Sequence, residues 1–368
     1  MTDCIIIGGG VIGMLSARAL MQRGVKVTIV ERGPFGREAS WAGGGILSPL
    51  YPWRYGDAVN QLARKSQQQY PALSDELLRI SGIDPEFRKC GLLVLDIDSV
   101  EKAEQWVQNY NIDLQWFGAD QAQALEPSLA HGPEQSAWMP DVAQLRNPRF
   151  LAALQIYLEK QGARLIPDAE VTQINTNNDQ ASGVATADGL ELQADHIVIA
   201  NGAWSGRLLQ QMNINLQIHP IRGQMIVMEA DADLLKTIIL KDGHYLIPRS
   251  DGKIVVGSTV ENVGFDKSTT EQAYHLLRAF ATGLLPALGD APVLKQWAGL
   301  RPGCGEGIPY ICEHPEIKGL YVNAGHFRNG IVMAPASAEL IADLICADEP
   351  SLNPEPYSFA ARATSPSA

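Results

Sequence analysis

The sequence predicts an α/β fold in two parts, and three observations carry that expectation. The chain opens on "DCIIIGGGVIGMLSARALMQRGVKVTIVER": a β-branched run, a glycine cluster, an apolar-faced helical stretch and a second β-branched run. From Asn147, "NPRFLAALQIYLEKQGARLI" repeats the helix-then-strand rhythm. Between such stretches lie short strand-like segments, with Asp188-Gly189 and Asp251-Gly252 as hairpin signals. α/β material therefore returns at the start, middle and end of the chain, with β-rich segments inserted. The expected architecture is a discontinuous Rossmann-like dinucleotide domain (1–85, 146–218 and 300–368) with a second domain of antiparallel sheet plus helices (86–145 and 219–299).

Each element has a local reason. Leu15, Ala19 and Leu20 share one face of the first helix, Gly24 stops it, and "VKVTIVE" follows as a buried strand. Residues 57–81 read as a helix, and 85–145 mix short strands with Pro- and Gly-bounded loops. Gly162 ends the helix that begins near Asn147. A meander follows in "EVTQI", "ASGVATADGLELQ" and "DHIVIANG", and strands continue through "GQMIVMEA", "HYLIPR" and "KIVVGST". One helix near 270–285 precedes "KQWAGLRPG", and an amphipathic helix follows "GHFRNG". The ending "ADEPSLNPEPYSFAARATSPSA" is rich in Pro, Ser and Ala and is expected to be loosely held. No internal repeat is evident.

Composition narrows the function classes. The 368 residues suffice for two ordinary domains, and 46% hydrophobic with 19% charged residues suit a soluble globular chain. A net charge of −12, with no basic stretch to offset it, argues against a nucleic-acid or anionic-membrane surface. The five cysteines (Cys4, Cys90, Cys304, Cys312, Cys346) are odd in number and lack metal-ligand spacing, so free thiols in a reducing compartment are expected and no metal is. No apolar run approaches the roughly 18 residues that cross a bilayer. The first apolar run also breaks into glycines too early for a signal peptide. A cytoplasmic location follows as the default.

The glycine cluster places Gly8, Gly10 and Gly13 in G-x-G-x-x-G spacing between a strand and a helix. Gly8 permits a tight turn, Gly10 lets the backbone approach a pyrophosphate, and Gly13 allows close helix–strand packing. The helix N-terminus adds N–H donors and partial positive charge. Glu31 stands at the end of the second strand, 18 residues beyond Gly13, where a carboxylate accepts a ribose hydroxyl. That carboxylate disfavours a 2′-phosphate, although Arg32 lies beside it. There is no second such glycine motif and no C-x-x-C pair. Two readings stay open: a nicotinamide enzyme, or a flavin enzyme that takes electrons directly from its substrate.

A longer set of segments chooses between them. "ERGPFGREASWAGGGILSP", "ADHIVIANGAWSG", "GHYLIPRSDGKIVVGSTVE", "WAGLRPG" and "GLYVNAGHFRNGIVMAP" occur in this order over nearly the whole chain. Together they resemble the D-amino-acid-oxidase-type FAD oxidoreductases, and within them the members that oxidise glycine for thiamine (thiazole) synthesis. The resemblance implies non-covalent FAD, with its pyrophosphate at Val11 and Ile12 and its ribose at Glu31 and Arg32. It implies that Ala39, Ser40, Gly43, Gly44 and Gly45 line the middle of the cofactor and that Val171 meets the adenine through its backbone. His326, Phe327, Arg328, Asn329, Gly330 and Ile331 would pass along the isoalloxazine. A helix beginning after Gly330 would point its dipole at the flavin's C2 carbonyl. "RPGCGEGIPYIC" departs from the family pattern at Cys304 and Glu306. Since related sarcosine oxidases attach flavin to a nearby cysteine, Cys304 raises that question here.

An amino-acid substrate presents a carboxylate and therefore needs a fixed cation. Arg301 in "GLRPG" is the leading candidate, because guanidinium matches carboxylate as a bidentate fork. Tyr245 offers a hydroxyl donor to the same group, and Arg328 is the third member; His244 and His326 receive no proton-transfer role. Val260 and Ile46 read first as ordinary core and otherwise as residues that narrow the pocket. The expected mechanism needs no protein base: the neutral amine passes its Cα hydride to flavin N5, and water hydrolyses the imine to an α-keto acid and ammonia. Dioxygen then takes the electrons and leaves as peroxide. The cofactor carries the chemistry while the protein orients. The expected partners are a small amino acid (glycine, sarcosine or a small D-amino acid) and dioxygen, and the family implies a homo-oligomer. The alternatives are a dehydrogenase or sarcosine-oxidase-like enzyme of the same fold with another electron acceptor, and a flavin-binding scaffold without turnover.

Overall fold

Two sheets organise the molecule, a computed structural model that describes residues 3–363 except 211, 213 and 215. The first has six strands in the order Tyr310–Glu313, Leu320–Ala324, His196–Ile199, Asp3–Ile7, Lys26–Val30, Arg164–Ile166. All neighbours are parallel except the edge pair Tyr310–Glu313 with Leu320–Ala324. The opening strand is buried on both faces, which explains its continuous apolar run. Cys4 and Ile6 face the helices Val11–Gln22, Asp57–Ser81 and Asn147–Lys160, while Ile5 and Ile7 face a core shared with Ile174 and Val184. Those two residues belong to a three-stranded antiparallel meander of Val171–Asn177, Gln180–Thr186 and Glu191–Gln193.

The second sheet has eight strands, in the order Val293–Gly303, His219–Glu229, Lys253–Gly257, His244–Pro248, Ile238–Lys241, Leu92–Val94, Ser136–Met139, Gln115–Phe117. Its alternation assigns two faces. Ile226, Met228, Leu246 and Val256 pack under the helix Glu271–Leu284, whose N-terminus is capped by the Thr270 hydroxyl. Met225, Tyr245, Ile247 and Val255 point the other way. The helices Val100–Tyr110 and Ala119–Leu125 interrupt the stretch that reads in sequence as short strands and loops.

Three expectations change. The strand Val293–Gly303 pairs along His219–Glu229 from Met228↔Val293, through a register shift at Val227/Met228, to His219↔Gly303, so one ladder crosses position 300. The 20-residue helical stretch Phe327–Cys346 is long and apolar enough to span a bilayer by length and composition, against the expectation that no segment is. Its 67% burial marks it instead as a core element, packed on Val11–Gln22 and Asp57–Ser81. The chain end is tied down at Tyr357 and Phe359: Tyr357 is 1% exposed and its hydroxyl donates to the Ala58 carbonyl at 2.8 Å. Phe359 stacks against Tyr310. Residues 364–368 of the expected loose tail lie outside the described residues.

Candidate active site

A long cleft opens where the carboxyl ends of the parallel strands meet the second sheet, the usual position of a ligand in an open α/β fold. It holds about 1160 Å³ of empty space and is lined by five separate segments: 7–12, 30–43, 169–171, 200–204 and 300–331 in part. The turn at its floor is built by glycine. Gly8 has φ +115°, and its N–H donates to the Val30 carbonyl at 2.9 Å. A Cβ on Gly13 would overlap the Gly8 carbonyl, so helix and turn approach only because that atom is missing. Gly13 itself is not among the lining residues; it packs behind Gly8, Gly10, Val11 and Ile12, which are.

Glu31 lines the cleft and also holds the turn. One carboxylate oxygen accepts from Gly9 N–H at 2.7 Å and the other from Gly33 N–H at 3.1 Å. Burial raises its pKa, and the two backbone donors pull the other way. A carboxylate has lone pairs beyond two such bonds, so a ribose hydroxyl is still accommodated. Beside it Arg32 donates to Glu38 at 2.7 Å and lies 3.5 Å over the Trp204 ring. Lys267 joins the same Glu38 at 3.0 Å. Trp204 was missed in the sequence, where it is one aromatic in "NGAWSG".

The middle of the cleft is formed by the short helix Ala39–Ala42 and the glycines after it. Ser40 Oγ accepts from Val11 N–H at 3.0 Å, and the Ser40 carbonyl accepts from Asn147 Nδ2 at 2.7 Å. Ala39, Ser40 and Gly43 line the cleft, whereas Gly44 and Gly45 line a smaller adjoining cavity. Arg249, 7% exposed, donates to the Gly44 carbonyl at 2.8 Å and to Gln144 and the Leu145 carbonyl. Burial pulls its pKa down to about 10. Neither Arg249 nor Asn147 is signalled by its sequence neighbours, because both act on chain far away in sequence. Val171 lines the far end, as expected.

His326, Phe327, Arg328, Gly330 and Ile331 line the near end of the cleft. Asn329 is not among them; its side chain is buried and its Nδ2 has no partner within the described residues. A 3₁₀ turn over Phe327–Asn329 leads into the helix Gly330–Cys346, whose N-terminus therefore meets the cavity wall. His326 is 1% exposed and bonds Ser337 Oγ at 2.8 Å, and Ser337 in turn donates to Asn323. Burial lowers its pKa to about 3, so the ring is neutral and bound, in keeping with no proton-transfer role. Cys304 does not line the cleft.

The smaller cavity adjoins this end and shares Ala39, Gly43, Arg301, Arg328 and Ile331 with the cleft. Tyr245, Met225, Gly223 and Ile46 complete much of its wall. Val260 does not; it is 53% exposed, which corrects its expected place in the core or the pocket. Arg301 donates from Nη2 to Ser258 Oγ at 2.6 Å and from Nη1 to the Thr259 carbonyl at 3.1 Å. Arg328 reaches across to the Gly243 carbonyl at 3.1 Å. That turn is steadied by Tyr51, whose hydroxyl accepts from Gly243 N–H at 3.0 Å and donates to Asp96 at 2.7 Å.

Among the described residues, neither Arg301 nor Arg328 has a carboxylate within 4.0 Å. Glu261, whose charge acts on Arg301 from further off, is engaged by Arg222. Burial lowers the Arg301 pKa, Tyr245 opposes that, and the like charge of Arg328 adds to it. Two cations and a tyrosine hydroxyl thus converge on one cavity without a protein counter-charge.

Fold and cleft together define a dinucleotide-dependent oxidoreductase with a small cationic cavity adjoining the cleft. The chain belongs to the FAD dependent oxidoreductase family, whose match spans residues 3–344. Its cofactor is FAD, and the residues fit it: a glycine turn a Cβ would fill, a helix N-terminus and a carboxylate at the ribose position. The chain is 47% identical to a glycine oxidase of Pseudomonas aeruginosa over 97% of its own length and 98% of the relative's. It is 32% identical to a bifunctional ThiO/ThiG protein of Trichormus variabilis, matching 93% of this chain and 52% of that one. Among solved structures, glycine oxidase from Geobacillus kaustophilus superposes with a TM-score of 0.91 at 31% identity, covering 98% and 99% of the two chains.

Proposed function

We propose that this protein is an FAD-dependent oxidase of glycine, yielding glyoxylate, ammonia and hydrogen peroxide, with sarcosine and small D-amino acids as further substrates. The observation that carries the reading is the uncompensated cation pair Arg301 and Arg328 in a small cavity contiguous with the cofactor cleft. Arg301 holds the substrate carboxylate as a bidentate fork, Tyr245 donates its hydroxyl to the same group, and Arg328 closes the cavity from the Gly243 side. The amine and Cα are thereby aimed at the cleft. When bound, FAD supplies the two-electron acceptor and returns the electrons to dioxygen. Among the described residues that line the cavity none is a histidine or a carboxylate, and His326 nearby is buried and bonded to Ser337; the substrate reacts as its neutral amine.

Val11 and Ile12 hold the pyrophosphate, Glu31 and Arg32 the ribose, and Ala39, Ser40 and Gly43 the middle of the cofactor. His326 to Ile331 border the isoalloxazine, with Asn329 behind the wall. FAD is held non-covalently, a reading supported by Cys304 not being among the residues that line the cleft; acid precipitation then releases all flavin to the supernatant. The cofactor domain comprises 1–85, 146–218 and 300–368, with the strand 293–303 shared with the second domain. A cytoplasmic location, a homo-oligomer and a role in thiamine synthesis complete the reading, the last supported by similarity to the ThiO/ThiG protein. One experiment tests the core of it: anaerobic glycine should bleach the yellow holoenzyme, and air should restore the colour with one peroxide per glycine. No bleaching removes the substrate assignment, and bleaching without peroxide points to another acceptor.

A further inference from the structure

We propose that Gly223 is a positioning residue for Arg301, acting by the absence of its side chain. The inference rests on the reading of Arg301 as the carboxylate-binding group. In the ladder between His219–Glu229 and Val293–Gly303, Ile221 pairs with Arg301 and Gly223 with Gly299. Side chains two apart on a strand share a face, so Arg301 and Gly223 are diagonal neighbours on the cavity side. The end of the Arg301 side chain occupies the space beside Gly223 that a Cβ would take. A Cβ at position 223 would overlap Cζ and both terminal nitrogens of Arg301 at once. No other atom is as close to that position.

The consequence is geometric. Resting on bare backbone, the guanidinium donates from Nη2 to Ser258 Oγ and from Nη1 to the Thr259 carbonyl, and Arg301 lines the cavity. Gly223 lines that cavity together with Arg301. An added methyl group lifts the guanidinium off the strand, and it then leaves Ser258 and Thr259 or occupies the space the carboxylate needs. The same device recurs one strand away. Tyr245 pairs with Gly257, and a Cβ there would come within 2.8 Å of Tyr245 Cε2. Each carboxylate-binding side chain thus lies over a glycine of the neighbouring strand.

The test is a double-mutant cycle on the holoenzyme, with glycine KM and kcat followed by peroxide release. Gly223→Ala should raise the glycine KM by about tenfold to a hundredfold, the range for lost hydrogen bonds to a charged group. Flavin content and melting temperature should stay near wild type, with kcat at saturation much less affected. Gly223→Ala added to Arg301→Ala should cost nothing more, because alanine at 301 leaves the strand uncovered. A folded Gly223→Ala holoenzyme with wild-type KM, or independent effects in the cycle, overturns the proposal. If Gly223→Ala alone fails to fold, recovery of folding in the double variant supports it, and collapse of both overturns it. An Arg301→Ala variant with unchanged glycine KM would instead sink the carboxylate reading itself.

Discussion

At the scale of single residues, the site is defined by charges that the protein leaves uncompensated. Buried cations are ordinarily paired, because an isolated charge in a poorly solvated cavity is costly. Arg222 shows the ordinary solution, held by both Glu261 and Asp266. Among the described residues, Arg301 donates to a hydroxyl and a carbonyl and interacts with Tyr245, Arg328 donates to a carbonyl, and neither forms an ion pair. On the proposed reading, the substrate carboxylate supplies the counter-charge in the bound state. Arg301→Ala should therefore weaken glycine capture by about 2–4 kcal/mol, read as a change in kcat/KM. Arg301→Lys should recover only part of that loss, since an ammonium lacks the planar fork. Equal recovery by lysine would show that charge alone, and not fork geometry, holds the carboxylate.

At the scale of elements, the helix Gly330–Cys346 links the cavity wall to the core. Its partner loop is fixed by buried polar bonds from His326 to Ser337, Ser337 to Asn323, and Asn323 to Ser16 on the first helix. His326 keeps its neutral form because folding removes it from water. The sign follows: the unfolded imidazole takes a proton below pH 6.5 while the folded one does not until about 3, so stability falls as pH drops through that window. Relative to His326→Gln, wild type should lose about 2 kcal/mol between pH 8 and pH 5 in urea unfolding of the holoenzyme. A pH-independent difference between the two would refute the buried neutral histidine. Elements governed by local pattern were legible in the sequence: the first β-α-β unit, the helix Asp57–Ser81, and the turns at Gly24 and Gly162. The glycine turn and Glu31 lie where their spacing put them, and Arg301, Tyr245 and Arg328, singled out through residue chemistry and family resemblance, line one cavity. Asn147, Arg249, Trp204 and Gly223 were not legible, since each acts on chain brought near only by the tertiary fold. The tail misled for the same reason: Pro-, Ser- and Ala-rich composition says nothing of Tyr357 reaching Ala58.

At the scale of the whole molecule, the cleft is where separate parts of the chain meet. Its walls come from both ends of the sequence and from the meander, and Arg301 enters from the second sheet. At the ribose end, Lys267 and Phe265 of the loop before the helix Glu271–Leu284 reach Glu38 and Trp204 of the cofactor side. A ligand that fills this space touches every wall at once, whereas the unfolded chain offers it nothing comparable. Binding to the native state alone adds stability that grows with the logarithm of ligand concentration. FAD at a hundred times its Kd should contribute about 2.7 kcal/mol, and at a thousand times about 4.1 kcal/mol. Stripping the flavin should lower the melting temperature by several degrees, and adding FAD back should restore it in a concentration-dependent way. AMP, which fills only the Glu31, Arg32 and Val171 end, should restore part of the shift. If AMP restored all of it, or FAD none, the cleft would not be held together by a ligand spanning its full length.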